Sequence, residues 1–331
     1  MKTANLGERK IIEIIHSHLQ LLPKMPVPFG DDVSAYELEN GKLAILKTDM
    51  LVDKTDMPPT MSYWQAARKA IIMNVSDFAA KGVKPLVALV SLGLSENLNK
   101  KIIEEIAEGL NAGAREYGAY IIGGDTNEAS NLIISISLFG IAERNEIMLR
   151  NTAKSDDIVA VTGMFGKTSA GLKILLKGLK ADSKIQKTLV ESVLMPRARL
   201  NEGLALSRTK AVDAGIDSSD GLAWSLHEIA RASNVGFTIN HIPIAKEAKE
   251  FAEANNLDPV ELTFYGGEEY ELVLTIKPKL WNRAEEAVRE VGGQLLPIGK
   301  VTAEKQIMLE IDGKKNVIEP RGWEHFKSTR V

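Results

Sequence analysis

"VAVTGMFGKTSAG", running from Val159 to Gly171, decides between two folds. An apolar stretch with the character of a strand empties into a glycine turn, and Lys167 and Thr168 then open a helix. A P-loop is built in the same order: backbone N–H groups cradle phosphates, Lys reaches them and Ser/Thr holds Mg²⁺. The spacing differs. A P-loop reads Gly-x-x-x-x-Gly-Lys-[Ser/Thr], because the intervening residues must wrap around a diphosphate. Here two residues separate Gly163 from Gly166, and Val161 stands where the first glycine belongs. A plain strand–turn–helix junction, with Thr168 or Ser169 near the helix start, accounts for the same residues. The stretch therefore predicts a mixed α/β protein whose nucleotide chemistry, if it has any, lies elsewhere.

Composition sets the outer bounds. A chain of 331 residues is long enough for two substantial cores. A formal charge of −3 gives no reason to expect a nucleic-acid partner or an anionic membrane surface. No apolar run approaches membrane-spanning length, and the opening "MKTANLGERK" lacks the apolar centre of a signal peptide. The lack of cysteine excludes disulfides, thiol nucleophiles and thiolate-bound metals. His16 and His18 sit two apart on a predicted helix and so face different ways. Any metal must then be a hard, oxygen-bound one, and a cytoplasmic enzyme is the expectation.

Hydrophobic periodicity divides the chain into alternating short strands and helices, with no internal repeat. "NLGERKIIEIIHSHL" is an amphipathic helix. "KLAILKTDM" and "NLIISISLFGIAE" are strands, and in the latter Ile134, Ile136 and Leu138 alternate with Ser135 and Ser137. "SYWQAARKAIIMNVSDFAAKG" and "KKIIEEIAEGLNAGAREYG" are helices, each ending at a glycine stop. The polar segment "RNTAKSDD", Arg150–Asp157, separates two halves, and we set the boundary at residues 1–149 and 150–331. The second half is predicted to hold strands at 157–162, 211–217, 236–240 and near 270–276. Helices are predicted near 167–178, 197–208, 220–232 and 278–291, with short strands to the end. The expectation is an α+β protein of two mixed α/β domains.

Aspartates recur at the ends of the apolar segments: Asp31 and Asp32 in "PFGDDVS", Asp49 in "LKTDM", Asp125 in "IIGGDTN", Asp217 and Asp220 in "GIDSSDG". Asp77 interrupts the helix "IIMNVSDFAA". Each alone has an ordinary explanation: Asp220 can cap the helix that follows, and Asp77 can pair with Lys81 at i,i+4. Strand ends, however, are where mixed α/β folds place active sites. If these carboxylates converge, they repel one another unless cations lie between them. Oxygen ligands suit Mg²⁺, which bridges a few carboxylates to substrate phosphates. An Mg²⁺–nucleotide site without a P-loop is the chemistry the set points to.

Nine segments carry a family resemblance: "GDD" (30–32), "KTDMLV" (47–52), "MNVSDFAAKGVKP" (73–85), "IIGGDT" (121–126), "LRNTAKSDD" (149–157), "VTGMFGKTSAGL" (161–172), "GIDSSDGL" (215–222), "GGEEYEL" (266–272) and "RGWEHF" (321–326). In this order the chain resembles the thiamine-monophosphate kinases, in the superfamily that also holds aminoimidazole ribonucleotide synthetase and selenophosphate synthetase. The resemblance implies a homodimer in which the N-terminal sheets of two subunits join into a barrel, with a C-terminal mixed sheet and helices. It implies transfer of the ATP γ-phosphoryl to thiamine monophosphate, giving thiamine diphosphate. Several Mg²⁺ ions are implied at Asp32, Asp49, Asp77, Asp125, Asp217 and Asp220, with Thr48 assisting, while Asp31 and Lys167 are left without a role. Gly124, Asp125, Arg150 and Ser219 are implied ATP contacts, with Asp217 and Arg150 closest to the chemistry.

The acceptor side departs from the family pattern. Many bacterial relatives carry Gly-x-His-Phe after the strand of Asp49, and here "VDKTDMPP" puts Asp56 at the His position. Asp56, Glu268 and Trp323 match substrate-side positions, and an indole face suits a cationic thiazolium. Glu268 also reads as a turn residue and Trp323 as a packing anchor. Two other readings stay open: a different ATP-dependent enzyme of the superfamily, or a non-catalytic nucleotide-binding subunit. Neither a nucleic-acid partner nor a membrane is expected.

Overall fold

The computed structural model describes residues 3–326. Helix α1 (Glu8–His16) buries none of its residues and is held by Arg9, whose guanidinium lies 3.6 Å over the Trp224 ring. Strands β1 (Ser34–Glu37) and β2 (Lys42–Val52) lead through the single turn α2 (Asp53–Asp56) into α3 (Tyr63–Lys81). Next come β3 (Pro85–Leu94), α4 (Lys100–Glu116), β4 (Tyr120–Glu128) and β5 (Ile133–Glu143). These strands form one sheet in the order β1-β2-β5-β3-β4, in which only β3 and β4, joined through α4, run parallel.

α3 explains how the two halves meet. Ser62 and Gln65 form a reciprocal capping box at its start, and Gly82 ends it in the left-handed region at φ 67°. A side chain at Gly82 would also come within 2.3 Å of the Ser207 Cβ, so this stop is fixed by packing as well as by φ. Between the caps most of the helix is buried, on every side rather than along one stripe. Ile71, Val75 and Phe78 share one core with Leu43, Ile45, Ile134 and Ile136 of the first sheet. Leu206, Leu272 and Leu274 from the second half belong to the same core.

The second half follows in order: β6 (Ile158–Val161), α5 (Lys167–Lys177), α6 (Ser183–Leu194), α7 (Leu200–Thr209), β7 (Val212–Asp217), α8 (Leu222–Ser233) and β8 (Gly236–Ile239). It continues with α9 (Lys246–Ala254), α10 (Pro259–Tyr265), β9 (Leu272–Ile276), α11 (Trp281–Glu290), β10 (Leu296–Thr302), β11 (Ile307–Ile311) and β12 (Lys314–Val317). The sheet order is β12-β11-β8-β10-β6-β9-β7, with β8 and β11 its parallel pair. A second core, including Val159, Ile216, Leu226 and Phe237, fills its α8 side.

The predicted alternation holds for β2, β5 and the second-half strands, but β1, β3, β4, α6, α9 and α10 were not anticipated. β4 shows the reason: every one of its residues is exposed, so no buried face writes a period into its sequence. Asp49 and Asp125 consequently lie inside β2 and β4 rather than at strand ends. One face of the first sheet is packed by α3. On the other, Leu46, Met50, Leu89 and Ile141 stand exposed. No helix among the described residues is long and apolar enough to cross a membrane.

Candidate active site

α3 is the spine of the site. Its Asp77 meets Asp32, from the loop before β1, and Asp217, the last residue of β7. All three are buried, and each offers an oxygen within 4.8 Å of the others. Period-2 alternation puts Lys47 and Asp49 of β2 on the same inner face. The Lys47 Nζ lies 3.1 Å from Asp49 Oδ1 and 2.9 Å from Asp77 Oδ2. Ser76 donates its hydroxyl to Asp217 Oδ2 at 2.7 Å, and Asn74 accepts the Asp49 N–H at 3.0 Å.

Lys81 does not pair with Asp77, contrary to the i,i+4 expectation. Its fully buried ammonium lies 2.6 Å from Asp31 Oδ1 and 2.7 Å from Asp32 Oδ2, and donates to the Gly215 carbonyl at 2.8 Å. Two adjacent buried carboxylates need a cation more than one half-screened carboxylate does, and Lys47 already serves Asp77. Arg150 completes the arrangement. Its guanidinium pairs with Asp32 and donates to the Gly30 carbonyl at 2.8 Å, and its backbone N–H donates to Asp31 Oδ2 at 3.0 Å.

The electrostatics follow from burial. It pushes the Asp217 carboxyl up to about 6, with the Asp32 charge adding to it. Asp220 rises to about 7, again through burial first, then Glu8 and Asp217. Asp77 is raised well above the carboxylate range, burial outweighing the attraction of Lys47. At Asp32 burial is overcome by Arg150 and Lys81, and the net shift is downward. Burial likewise opposes the Lys47 charge, but Asp77 and Asp49 outweigh it and its pKa rises. A buried, all-oxygen donor set whose carboxylates are short of positive charge fits a hard divalent cation.

A second group of residues gathers beside Asp217. The segment Gly266–Glu271 lies along Ser218–Gly221: Ser218 N–H donates to Glu271 O at 2.8 Å, Tyr270 N–H to Ser218 O at 3.0 Å and Glu268 N–H to Ser219 O at 2.6 Å. Trp323 N–H donates to Asp220 O at 3.0 Å. Glu268 is held at φ 66°, a backbone cost that recurs where function demands it. Lys69 of α3, only 1% exposed, lies 2.5 Å from Glu268 Oε1 and donates to the Asp56 carbonyl at 2.9 Å. The Asp56 carboxylate itself closes its own turn, accepting from Val52 N–H at 2.8 Å and the Thr55 hydroxyl at 2.9 Å.

Asp32, Asp49, Asp77 and Asp217 are thus brought together, with Asp220, Ser219, Glu268 and Trp323 beside them. Thr48 and Asp125 are not. Thr48 shares the open face of the sheet with Ser137, its hydroxyl 3.4 Å away, and Asp125 is exposed opposite Ser91. Gly124 backs onto β3 so closely that a Cβ would stand 1.8 Å from the Val90 carbonyl oxygen. Sequence reading missed Lys47, Lys69 and Lys81 as site residues. Their signal was there: two lysines inside a largely apolar helix, and a third two residues from Asp49 on one strand face.

The glycine turn at 163–166 has its own occupant. Glu269 Oε1 accepts the N–H of Gly166 at 2.6 Å and of Thr168 at 3.2 Å, while the Thr168 hydroxyl donates to Gly267 O at 3.0 Å. The positive end of α5 thus holds an internal carboxylate, which burial pushes up to about 7. We expect Lys167→Ala to leave nucleotide affinity and turnover within a few-fold of wild type. A loss of two or more orders of magnitude in an intact fold would restore the P-loop.

Comparison with known proteins defines the class. Residues 30–142 match the AIR synthase related protein, N-terminal domain, and residues 154–312 match its C-terminal domain. The thiamine-monophosphate kinase of Nitrosopumilus maritimus is 37% identical over 324 residues, covering 98% of this chain and 100% of that protein. That of Pyrococcus horikoshii is 38% identical over 300 residues, covering 90% and 91%. A ThiL structure from Aquifex aeolicus is 28% identical with a TM-score of 0.80, covering 96% of this chain and 99% of that one. A ThiL solved with AMPPCP and TMP superposes with a TM-score of 0.85 at 30% identity, covering 98% and 99%. The chain belongs to the thiamine-monophosphate kinase family of AIR synthase related proteins.

Proposed function

We propose that this chain is an ATP-dependent kinase that phosphorylates thiamine monophosphate to thiamine diphosphate. The observation that carries the reading is the junction of the two groups just described. The three-carboxylate cluster adjoins, through the Asp217–Asp220 turn, a lining of Glu268 and Trp323. Asp32, Asp49, Asp77, Asp217 and Asp220 are the residues that would hold Mg²⁺. Thr48 and Asp125, which the resemblance adds to the metal set, and Gly124, which it adds with Asp125 to the ATP contacts, stand apart from that cluster, Thr48 and Asp125 on the open face of the first sheet and Gly124 against β3. A divalent ion held by the cluster's carboxylates would supply neutralisation of phosphate charge.

The protein's own contribution is position and fixed charge. The acceptor is already an anion, so no strong base is needed, and the site offers cations and ordered carboxylates instead. Arg150, anchored by Gly30 and the two adjacent aspartates, presents a preorganised positive charge at the nucleotide side with Ser219. Lys69 fixes Glu268 toward the acceptor. Asp56 serves the same side as the anchor of Lys69, its carboxylate closing the turn that supplies the carbonyl. The same reading includes a cytoplasmic homodimer split near residues 149 and 150, in which the exposed apolar face of the first sheet pairs with its copy.

Identifying the product formed from Mg²⁺-ATP and thiamine monophosphate tests the assignment directly. Thiamine diphosphate is expected; ATP consumption with other acceptors alone would overturn it. Trp323→Ala should raise KM for thiamine monophosphate roughly 2- to 30-fold, the range of a cation–π contact, with little change for ATP. If only the ATP KM moves, the acceptor pocket has been misplaced.

A further inference from the structure

Lys47 has no part in the reading above, yet its ammonium stands among the residues that reading assigns to metal. It reaches Asp77 Oδ2 at 2.9 Å and Asp49 Oδ1 at 3.1 Å. Neither carboxylate has another cationic side chain within ion-pair distance among the described residues. The N–H donors of an ammonium occupy the same lone pairs that a divalent cation uses. The strand alternation that puts Asp49 on the inner face puts Lys47 there too, two residues away.

We propose that Lys47 is a tethered cation occupying one divalent position of the carboxylate cluster, so that this chain competes internally with one of its own metal ions. The inference rests on the metal-cluster reading under "Proposed function". In the metal-free protein the ammonium holds Asp49 and Asp77 together against their mutual repulsion. When a divalent ion takes these oxygens, the ammonium is displaced from them and freed toward the phosphates. Lys47 is therefore a residue that sets the number and strength of bound ions, a property separate from acceptor recognition.

The test counts Mn²⁺ bound to metal-stripped protein by electron paramagnetic resonance, with and without a non-hydrolysable ATP analogue. Lys47→Ser should bind one more ion per chain than wild type, or bind its weakest ion at least ~10-fold more tightly. Lys47→Arg, which keeps the charge, should behave as wild type. In EDTA, Lys47→Ser should melt at a lower temperature than wild type and be raised more by Mn²⁺. Should Lys47→Ser fail to fold, Lys47→Gln carries the same comparison, since it keeps length and hydrogen bonding without charge. Equal stoichiometry and affinity in wild type and the neutral variants overturn the role of Lys47 alone. If wild type binds no Mn²⁺ even with the analogue, and Asp77→Asn changes nothing, the metal-cluster reading itself is what fails.

Discussion

Replacing Asp217 with asparagine should lower turnover by about 10²–10³-fold, the cost of removing one preorganised charge contact to a transition state. The fold should survive. The introduced amide would keep an oxygen able to accept from Ser76, whose hydroxyl now donates to Asp217 Oδ2 at 2.7 Å. What disappears is one negative charge at the meeting point of Asp32 and Asp77. The measurement is kcat at saturating ATP and acceptor, alongside the melting temperature in EDTA. Near-wild-type turnover from Asp217→Asn, or from wild type stripped of divalent ions, would sink the multi-metal reading.

The second large effect concerns stability. Lys81→Met should cost about 3–5 kcal/mol, the range for removing one partner of a buried ion pair. Lys81 is 0% exposed, and its ammonium lies within ion-pair distance of Asp31 and Asp32 and donates to the Gly215 carbonyl. Methionine fills the space but leaves Arg150 as the one cationic partner, among the described residues, of two adjacent buried carboxylates. Urea unfolding in EDTA gives the free energy. A loss below about 1 kcal/mol, the range of an exposed pair, would mean that water reaches Asp31 and Asp32 after all. Added Mg²⁺ should recover part of the loss, because a divalent ion can replace the missing charge.

The two variants separate the tasks of neighbouring aspartates. Asp31 and Asp32 face Lys81 and Arg150 and couple the loop before β1 to β7, whereas Asp77 faces Lys47 and Asp217 accepts from the Ser76 hydroxyl. Asp31, left without a role by the family pattern, is in this structure a structural carboxylate. It receives the Arg150 N–H and the Lys81 ammonium.

Much of this was legible in the sequence where a local rule applied. Gly82 and the Ser62–Gln65 box bound α3, the alternation of Ile134, Ile136 and Leu138 marks β5, and the spacing around Gly163 argues against a P-loop. The aspartate set was also visible, since oxygen ligands in a cysteine-free chain leave a hard metal as the natural occupant. β4 escaped because it is exposed along its whole length, and α10 because seven residues are too few to show a period. α9 does carry one, in Ala248, Phe251 and Ala252 at i, i+3 and i+4, that the sequence reading passed over. The partner of Asp77 was misread because sequence offers only the i,i+4 neighbour.

The sequence by itself determined the strongly periodic elements, the residue types of the site and the family, because capping, periodicity and motif order act over a few residues. Only the tertiary structure decided which charges meet. Lys47 reaches Asp77 from β2, Lys81 reaches back to Asp31 and Asp32, Lys69 crosses to Glu268, and Glu269 fills the turn at Gly166. Each of these pairs joins residues far apart along the chain. Burial, which makes an unpaired charge costly, is a property of the assembled core and is not carried by any local stretch of chain.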